Sequence, residues 1–513
     1  MRQSAPARQA RGAASRHDPK SRLRNRLCAN GARHLERISN WTAIALAQTI
    51  VLACVYFMFA SVWSIVAAGA AAVAICWSVA HRMPDPSARH PTASASRNFL
   101  PYFWATVFFG LAIRILAFFI IHPDQTSDYL DYISSARNLA FSGEYRFELD
   151  GHVVRSWRPP GTTLFYALAI RSGIGVEIAP LVLNCALLVA SQSTLAALMK
   201  DLGASNSARI LACFALAAWP ALILQSNYVA SEPLSMAIGL IAMFCGVRML
   251  RERDCFYALC FGFAVGLACL VRPQAVLIGP LGAALVIARP LAHWRKMRQC
   301  VAILTGLAAV TTPWTVRNLF VLGYPVFVST NMGDVMYRSN NPLATGNWTS
   351  RGLRDSSIAA FGGDELAWNA TAAGWAWDWI ASNKMQFIEL SARKVLLLTG
   401  RAVDSTIIQA QLVDAVGPAV AGALVWLANI SWMALACTLL VALIRAARTE
   451  SFGLCHAFVL LAVLPSIASH AIFESQARHN LPILPLLIAL AGALHLPNAR
   501  NHCIGSAGAP GGT

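Results

Sequence analysis

Residues 41–60, 101–121, 179–199 and 419–444 are predominantly apolar runs of twenty residues or more. The hydrocarbon core of a bilayer is about 30 Å thick and takes about 20 such residues in a helix, the element whose backbone groups are all satisfied internally. Composition points the same way. Of 513 residues, 57% are hydrophobic and 13% charged, against about 25% charged in a soluble domain. The chain is therefore expected to be all-α, a polytopic transmembrane helix bundle. Spans are read near 41–60, 62–80, 100–121, 178–199, 208–224, 232–249, 255–271, 274–289, 300–316, 417–444, 455–472 and 481–496, about 12 in all.

The net charge of +17 would suggest nucleic acid on a soluble protein, but here the placement of the cations accounts for it and no nucleic-acid partner is expected. Residues 1–40 form a basic tail, read as cytoplasmic and retained, with ten arginines and lysines from Arg2 to Arg37. Counting crossings from there puts Arg82, Arg89 and Arg97, Lys200, Arg248 with Arg251 and Arg253, and Arg289 with Arg295, Lys296 and Arg298 on the same side. Cytoplasmic loops collect Lys and Arg, so both termini are expected inside. The chain then divides into an N-terminal hairpin (41–99), a core (100–318) with a first outer loop at 122–160, a long outer loop (319–416), C-terminal helices (417–497) and a tail (498–513). Residues 162–169 fit an interfacial or re-entrant helix, although a full crossing there would invert everything downstream. The 13 cysteines contain no Cys-x-x-Cys pair, and none lies in the outer loops. They read as packing residues, with no disulfide framework.

The first outer loop carries the densest polar pattern. A helix is expected over 128–141, capped by Thr126 or Ser127 and ended by Gly143. Asp128, Asp131, Tyr132 and Ser135 then share one face. A carboxylate there could act as a general base toward an incoming hydroxyl, or it could simply complement the helix dipole. Trp157-Arg158-Pro159-Pro160-Gly161 starts a helix without wasting a backbone donor. Arg158 at that start either grips a phosphate bidentately or snorkels to anchor the helix end.

These residues carry a resemblance. Asp128, Tyr132, Ala136-Arg137-Asn138-Leu139, Gly143 and Arg158-Pro159-Pro160-Gly161 together resemble the first periplasmic loop of the GT-C glycosyltransferases. The likeness is above all to the bacterial group of lipid A aminoarabinose transferases, lipopolysaccharide galacturonosyl transferases and protein O-mannosyltransferases. Ser231-Glu232-Pro233, Arg272-Pro273, Pro313-Trp314-Thr315-Val316-Arg317-Asn318, Ser329-Thr330-Asn331-Met332-Gly333, Asn340-Asn341-Pro342 and Arg478-His479-Asn480-Leu481-Pro482 follow in order, so the likeness runs from about 103 to 494. It implies a GT-C type bundle in the bacterial inner membrane. Such an enzyme moves a sugar from a polyprenyl-phosphate donor to a glycan, lipid A or protein acceptor at the periplasmic face, among membrane lipids. By the same resemblance Asp128 is the catalytic base and Arg158 binds the donor phosphate. The family often has a second acid directly after the first; here that position is Tyr129, and Asp131 is the reserve for a base or metal contact. A divalent metal is left open and no metal site is assigned.

Glu232, Arg272, Arg317 and Arg478 are read at outer ends of spans, where arginines either snorkel or build a pocket for a phosphate leaving group. Arg478 is favoured after Arg158, with Glu474 four residues before it expected to hold it. Tyr132, Glu232, Asn331, Tyr337, Asn340 and Asn341 are candidates for sugar or acceptor contacts, the asparagines being equally ordinary turn formers. Trp314, Trp348, Trp368, Trp375, Trp377 and Trp379 could stack on sugars or form an interfacial belt. His122, His152, His470 and His479 look too scattered for a metal. A transporter or flippase is the rival reading. It would place charge near the bilayer midplane, where Arg114 is the one exception in spans otherwise nearly free of it. A non-catalytic envelope-assembly protein is a third.

Overall fold

The computed structural model describes residues 99–348, 357–403, 406–449 and 451–495. The basic tail (1–40), nearly all of the N-terminal hairpin (41–99) and the C-terminal tail (498–513) lie outside the described residues. Helix α1 (Phe99–Ile120) leads into the first polar loop. That loop folds as α2 (Asp128–Ser142), a hairpin of β1 (Phe147–Leu149) and β2 (His152–Val154), and α3 (Pro160–Arg171). Then come α4 (Ala179–Asp201), α5 (Asn206–Ala217), α6 (Pro220–Leu224), α7 (Ser231–Glu252), α8 (Cys255–Val271), α9 (Ile278–Ala288) and α10 (His293–Leu322). The second polar loop holds α11 (Met332–Ser339), α12 (Glu365–Ser382), α13 (Lys384–Thr399) and α14 (Thr406–Val416). Helices α15 (Pro418–Thr449), α16 (Leu454–Leu461), α17 (Leu464–Ile472) and α18 (Leu484–His495) follow.

Among the described residues six helices are long and apolar enough to cross a membrane: α1, α4, α7, α10, α15 and the joined α16–α17. The pair α5–α6, bent by 45°, brings the number to seven. The expected dozen is not reached. The spans at 41–60 and 62–80 lie outside the described residues, and α8, the segment Pro273–Ala288 and α18 are apolar but shorter than a full crossing.

Proline explains the breaks. A residue before proline is driven out of the helical region, and Trp219 (ψ 115°) before Pro220 and Arg272 (ψ 108°) before Pro273 are both extended. At the first break the freed carbonyl of Ala217 accepts from Arg114 Nη1 at 2.9 Å, and Arg114 also donates to Gly110 O at 3.0 Å. Arg114, the mid-span cation on which the transporter reading turned, is thus held by backbone at a helix kink. At the second break the chain ends α8 with Arg272 turned to the site described below.

Helix α3 is 12 residues long, about 18 Å, too short for a crossing. It lies along α2: Arg158, just before it, meets Asp128 and Asp131, and Arg171 Nη1 near its end donates to Ala140 O at 3.3 Å. One buried core joins α4, α5, α7, α8, α10, α15, α16 and α18, through Leu195, Leu216, Leu240, Phe261, Leu440, Phe458 and Leu487 among others. Within it α8 and α10 touch backbone to backbone, since a Cβ on Gly262 would stand 2.0 Å from Ile303 O and one on Gly306 2.3 Å from Leu259 O. At one end of the bundle α7 is tied to α4 by Arg248 and Arg251, 2.5 and 3.0 Å from Asp201. At the opposite end of α7, Glu232 pairs with Arg272 at the end of α8, and both polar loops converge on them.

Candidate active site

Helix α2 begins at Asp128 and ends at Gly143, whose φ of 74° closes it with a bond from its N–H to Leu139 O. Ser127 stands at the N-cap as expected, but its side chain makes no capping bond and its backbone has φ 53°, a conformation that favours glycine. Strain of this kind persists where surrounding contacts over-determine it, and it aims Asp128 at the next segment. Asp150 (φ 51°) and Gly151 (φ 78°) form the tight turn between β1 and β2, with the backbone twist that two-residue hairpins prefer. The hairpin returns the chain so that Arg158 O accepts from Tyr145 OH at 2.7 Å. Beneath it Trp314 packs edge-on against Tyr145 at 5.0 Å.

Six charged side chains then alternate. Arg158 Nη2 lies 2.6 Å from Asp128 Oδ1 and 2.8 Å from Asp131 Oδ2, and its Nε donates to Asp131 at 3.0 Å. Arg478 Nη2 donates to the other Asp128 oxygen at 2.8 Å, and its Nη1 to Tyr129 OH at 3.3 Å. Glu232 Oε1 sits 3.7 Å from Arg478 and 2.8 Å from Arg272. Three carboxylates against three guanidiniums leave no net charge. Burial pushes the Asp128 carboxyl up, but Arg158 and Arg478 together outweigh it and hold it well below the usual carboxylate range. Burial also raises Asp131, and there the single guanidinium of Arg158 offsets only part of the rise, with Asp128 and Asp150 adding to it. Asp128 is therefore the more acidic member of the pair.

Two cavities meet at Asp128 and Arg158, which line both. The larger, about 730 Å³, is walled mainly by apolar side chains such as Val271, Leu277, Phe327 and Ile472, with Tyr132, Glu232, Arg272, Asn331 and Arg478 among its polar members. The smaller, about 480 Å³, is the more polar of the two: Asp131, Asp150, Asp334 and Arg338 line it beside Trp348 and Trp368. The side chains of Arg158, Arg478 and Asp128 keep 17%, 15% and 27% of their surface, enough for a ligand to reach them and little enough to weaken competition from water.

Four expected residues lie elsewhere. Arg317 donates to Arg155 O at 2.7 Å and Tyr145 O at 3.2 Å and stacks over Trp314 at 4.7 Å, so it props the loop from below rather than lining either cavity. Asn340 is buried, donating to Met336 O and Ile472 O and accepting from Lys394 Nζ at 2.8 Å. Asn341 donates to Tyr337 O and Arg338 O. Tyr337 packs on Trp375 at 5.3 Å. Tyr337, Asn340 and Asn341 thus shape the turn after α11 instead of facing a ligand. Glu474 does not hold Arg478 either. The chain after α17 is extended at Phe473 and again at Gln476, and Glu474 faces Arg338 at 3.6 Å, which also pairs with Asp334 at 2.9 Å.

Sequence reasoning passed over several residues. Glu365 accepts from Arg155 N at 2.9 Å, Ser156 N at 3.1 Å and Thr330 Oγ1 at 2.7 Å, tying the second polar loop to the segment before Arg158. No local signal marks it, because its partners lie 35 or more residues away. Arg338 was within reach through its spacing of four from Asp334. Lys394 is fully buried, donating to Asn340 Oδ1 and Ile472 O at 2.8 Å each, and burial pushes its amine down to about 7. Among the described residues no three His, Cys, Asp or Glu side chains gather as metal ligands. Asp128 and Asp131 both face Arg158, so these two carboxylates do not form a metal cradle.

No family model matches the chain, and no curated protein matches it. Solved structures do. One is the oligosaccharyltransferase of Archaeoglobus fulgidus in its apo form, at TM-score 0.46 and 14% identity over 80% of this chain and 53% of that one. The same protein in complex with zinc and sulfate gives 0.44 and 15%, over 79% and 51%. ArnT from Cupriavidus metallidurans bound to undecaprenyl phosphate gives 0.39 and 14%, over 77% and 78%. The chain spans about half the length of the oligosaccharyltransferase.

Proposed function

We propose that this chain is an inverting glycosyltransferase of GT-C type that moves a sugar from a polyprenyl-phosphate donor to a hydroxyl-bearing envelope acceptor. The observation that carries the reading is the meeting of an apolar and a polar cavity at one carboxylate held between two arginines. An amphipathic donor needs that division: an apolar wall for its first isoprene units, cations for its phosphate, and access for a polar acceptor from the other side. The basic residues at 248, 251 and 289 fall at helix ends remote from this junction, which supports placing the site on the periplasmic face of an inner membrane.

Without a donor, Asp128 occupies both guanidiniums. A phosphate entering the apolar cavity competes for Arg158 and Arg478 through bidentate, charge-assisted hydrogen bonds. As they turn to it, Asp128 loses the charges that depress its pKa and gains basicity. The acceptor hydroxyl approaches from the polar cavity and gives its proton to Asp128. Its oxygen bonds to the anomeric carbon from the face opposite the phosphate. The bond from that carbon to the phosphate oxygen breaks, and the electron pair leaves with the phosphate, whose growing charge Arg158 and Arg478 stabilise. One bond forms and one breaks at carbon, so its configuration inverts. The test is to incubate the purified full chain with radiolabelled polyprenyl-phosphate glucose and an envelope extract. Acceptor-dependent release of free polyprenyl phosphate is expected; none across the common sugars would overturn the reading.

A further inference from the structure

Between Ile472, where α17 ends, and the single turn Ala477–Asn480 that carries Arg478, the chain is not helical, and Phe473 and Gln476 are extended. The position of Arg478 is therefore set by whatever holds this stretch, not by a long helix axis. Helix α13 holds it on both sides of the arginine. Before Arg478, the Ile472 carbonyl accepts from Lys394 Nζ at 2.8 Å and from Asn340 Nδ2 at 2.9 Å, which occupies both of its lone pairs. After it, Asn480 Nδ2 donates to Leu398 O at 3.2 Å and to Arg401 O at 2.8 Å. Between the two, Ser475 N donates to Gly346 O at 3.0 Å.

Lys394 is the member that packing alone does not explain. It is fully buried on the same side of α13 as Leu390 and Leu398, where an apolar side chain would sit at lower cost than an ammonium stripped of water. What lysine supplies is reach. The last carbonyls of a helix have no N–H of their own, and Lys394 Nζ meets the one at the end of α17 while donating to Asn340 Oδ1 at 2.8 Å.

Building on the glycosyltransferase reading, we propose that Lys394 is a positioning residue: by pinning the Ile472 carbonyl it holds Arg478 against Asp128 and at the place where the donor phosphate arrives. Lys394 lines neither cavity. Arg478 reaches Asp128 through one hydrogen bond of 2.8 Å, which a displacement of about 1 Å would break. The charged groups around Asp128 are Arg158, Arg478, Arg338 and Asp131, and Lys394 faces Glu474, which also faces Arg338. Loosening Arg478 removes a charge that depresses Asp128, so its pKa rises and the acid limb of the rate moves up.

The test is a double-variant cycle on the full chain in nanodiscs: the parent, Lys394→Met, Arg478→Ala and the two combined. Two quantities are read, the Kd of bare polyprenyl phosphate and the acid limb of kcat/KM with radiolabelled polyprenyl-phosphate glucose and envelope extract. Lys394→Met keeps the bulk and removes the donor. It should weaken phosphate binding about fivefold and raise the limb by about 0.5 pH unit, part of the shift that Arg478→Ala gives. Added to Arg478→Ala, it should change neither quantity further. Lys394→Gln, which keeps a donor, should recover part of both losses. A limb that stays in place in Lys394→Met while the melting temperature falls makes the lysine structural and overturns the inference, sparing the function. Additive effects in the combined variant overturn it as well, since the lysine would then act through another group, and so does failure of both Lys394 variants to fold. A parent that binds no polyprenyl phosphate would remove the function and the inference together.

Discussion

Asp128 lies between two guanidiniums and Asp131 beside one, and this difference sets the pH behaviour. A general base must be unprotonated, so activity rises with pH through its pKa. With Asp128 depressed in the free protein, the acid limb of kcat/KM is expected below the ordinary Asp value of about 4. Removing one guanidinium, as in Arg478→Ala, should move that limb upward by about 1–3 pH units, whatever happens to the absolute rate. Arg478→Lys should move it less, and pH profiles of kcat/KM for both variants check this. An unmoved limb would show that Asp128 is not the titrating base. Asp128 and Arg158 were legible in the sequence because both sit in one short loop, the first at a helix start and the second before a double proline. Arg478 was legible as a cation but not in its pairing. Helical spacing pointed to Glu474, whereas an extended stretch after α17 sends the arginine to Asp128, 350 residues earlier in the chain.

Among elements, the two polar loops act as one body because α12 presents Glu365 to the strand leading into Arg158. Glu365 is buried and accepts three hydrogen bonds. Glu365→Ala would strand two backbone N–H groups at about 1–3 kcal/mol each. It should lower the melting temperature and raise KM for the donor several-fold, and Glu365→Gln should do less of both. A thermal shift assay with donor titration checks this, and unchanged KM with a lowered melting temperature would separate stability from site geometry. The helix at 128–141 was legible from its periodicity and from Gly143. The roles of Asn340 and Asn341 were not, because an asparagine that caps a buried turn and one that meets a sugar look alike until the turn is folded. The helix at 255–271 was legible to its ends, whereas the start of α18 at Leu484 was not, since hydropathy counts apolar residues and not where the helix begins.

At the scale of the whole molecule, close helix packing must hold the junction of the two cavities at one end of the bundle. The α8–α10 contact at Gly262 and Gly306 fixes where Arg272 emerges, since α8 ends there. In a lipid environment such contacts rest on small residues rather than on the hydrophobic effect. Gly262→Leu places a side chain where even a Cβ meets Ile303 O at 2.0 Å. Overpacking of this kind costs about 1–3 kcal/mol, and size-exclusion profiles and melting curves in detergent should show loss of the monodisperse species. A variant as stable as the parent would mean that α8 can shift without penalty. The all-helical membrane class was evident from the apolar runs alone. The convergence of residues 128, 158, 232, 272 and 478 was not, because no local pattern records which helix ends become neighbours.

Whether Asp128 takes the acceptor's proton is decided by Asp128→Asn in the labelled-donor assay, with membrane insertion and melting temperature measured on the same preparation. Asparagine keeps the shape and gives up the charge. An inserted, folded protein is expected, with transfer reduced by at least about 100-fold, the low end of what a positioned base contributes. Transfer within a few-fold of the parent would contradict it.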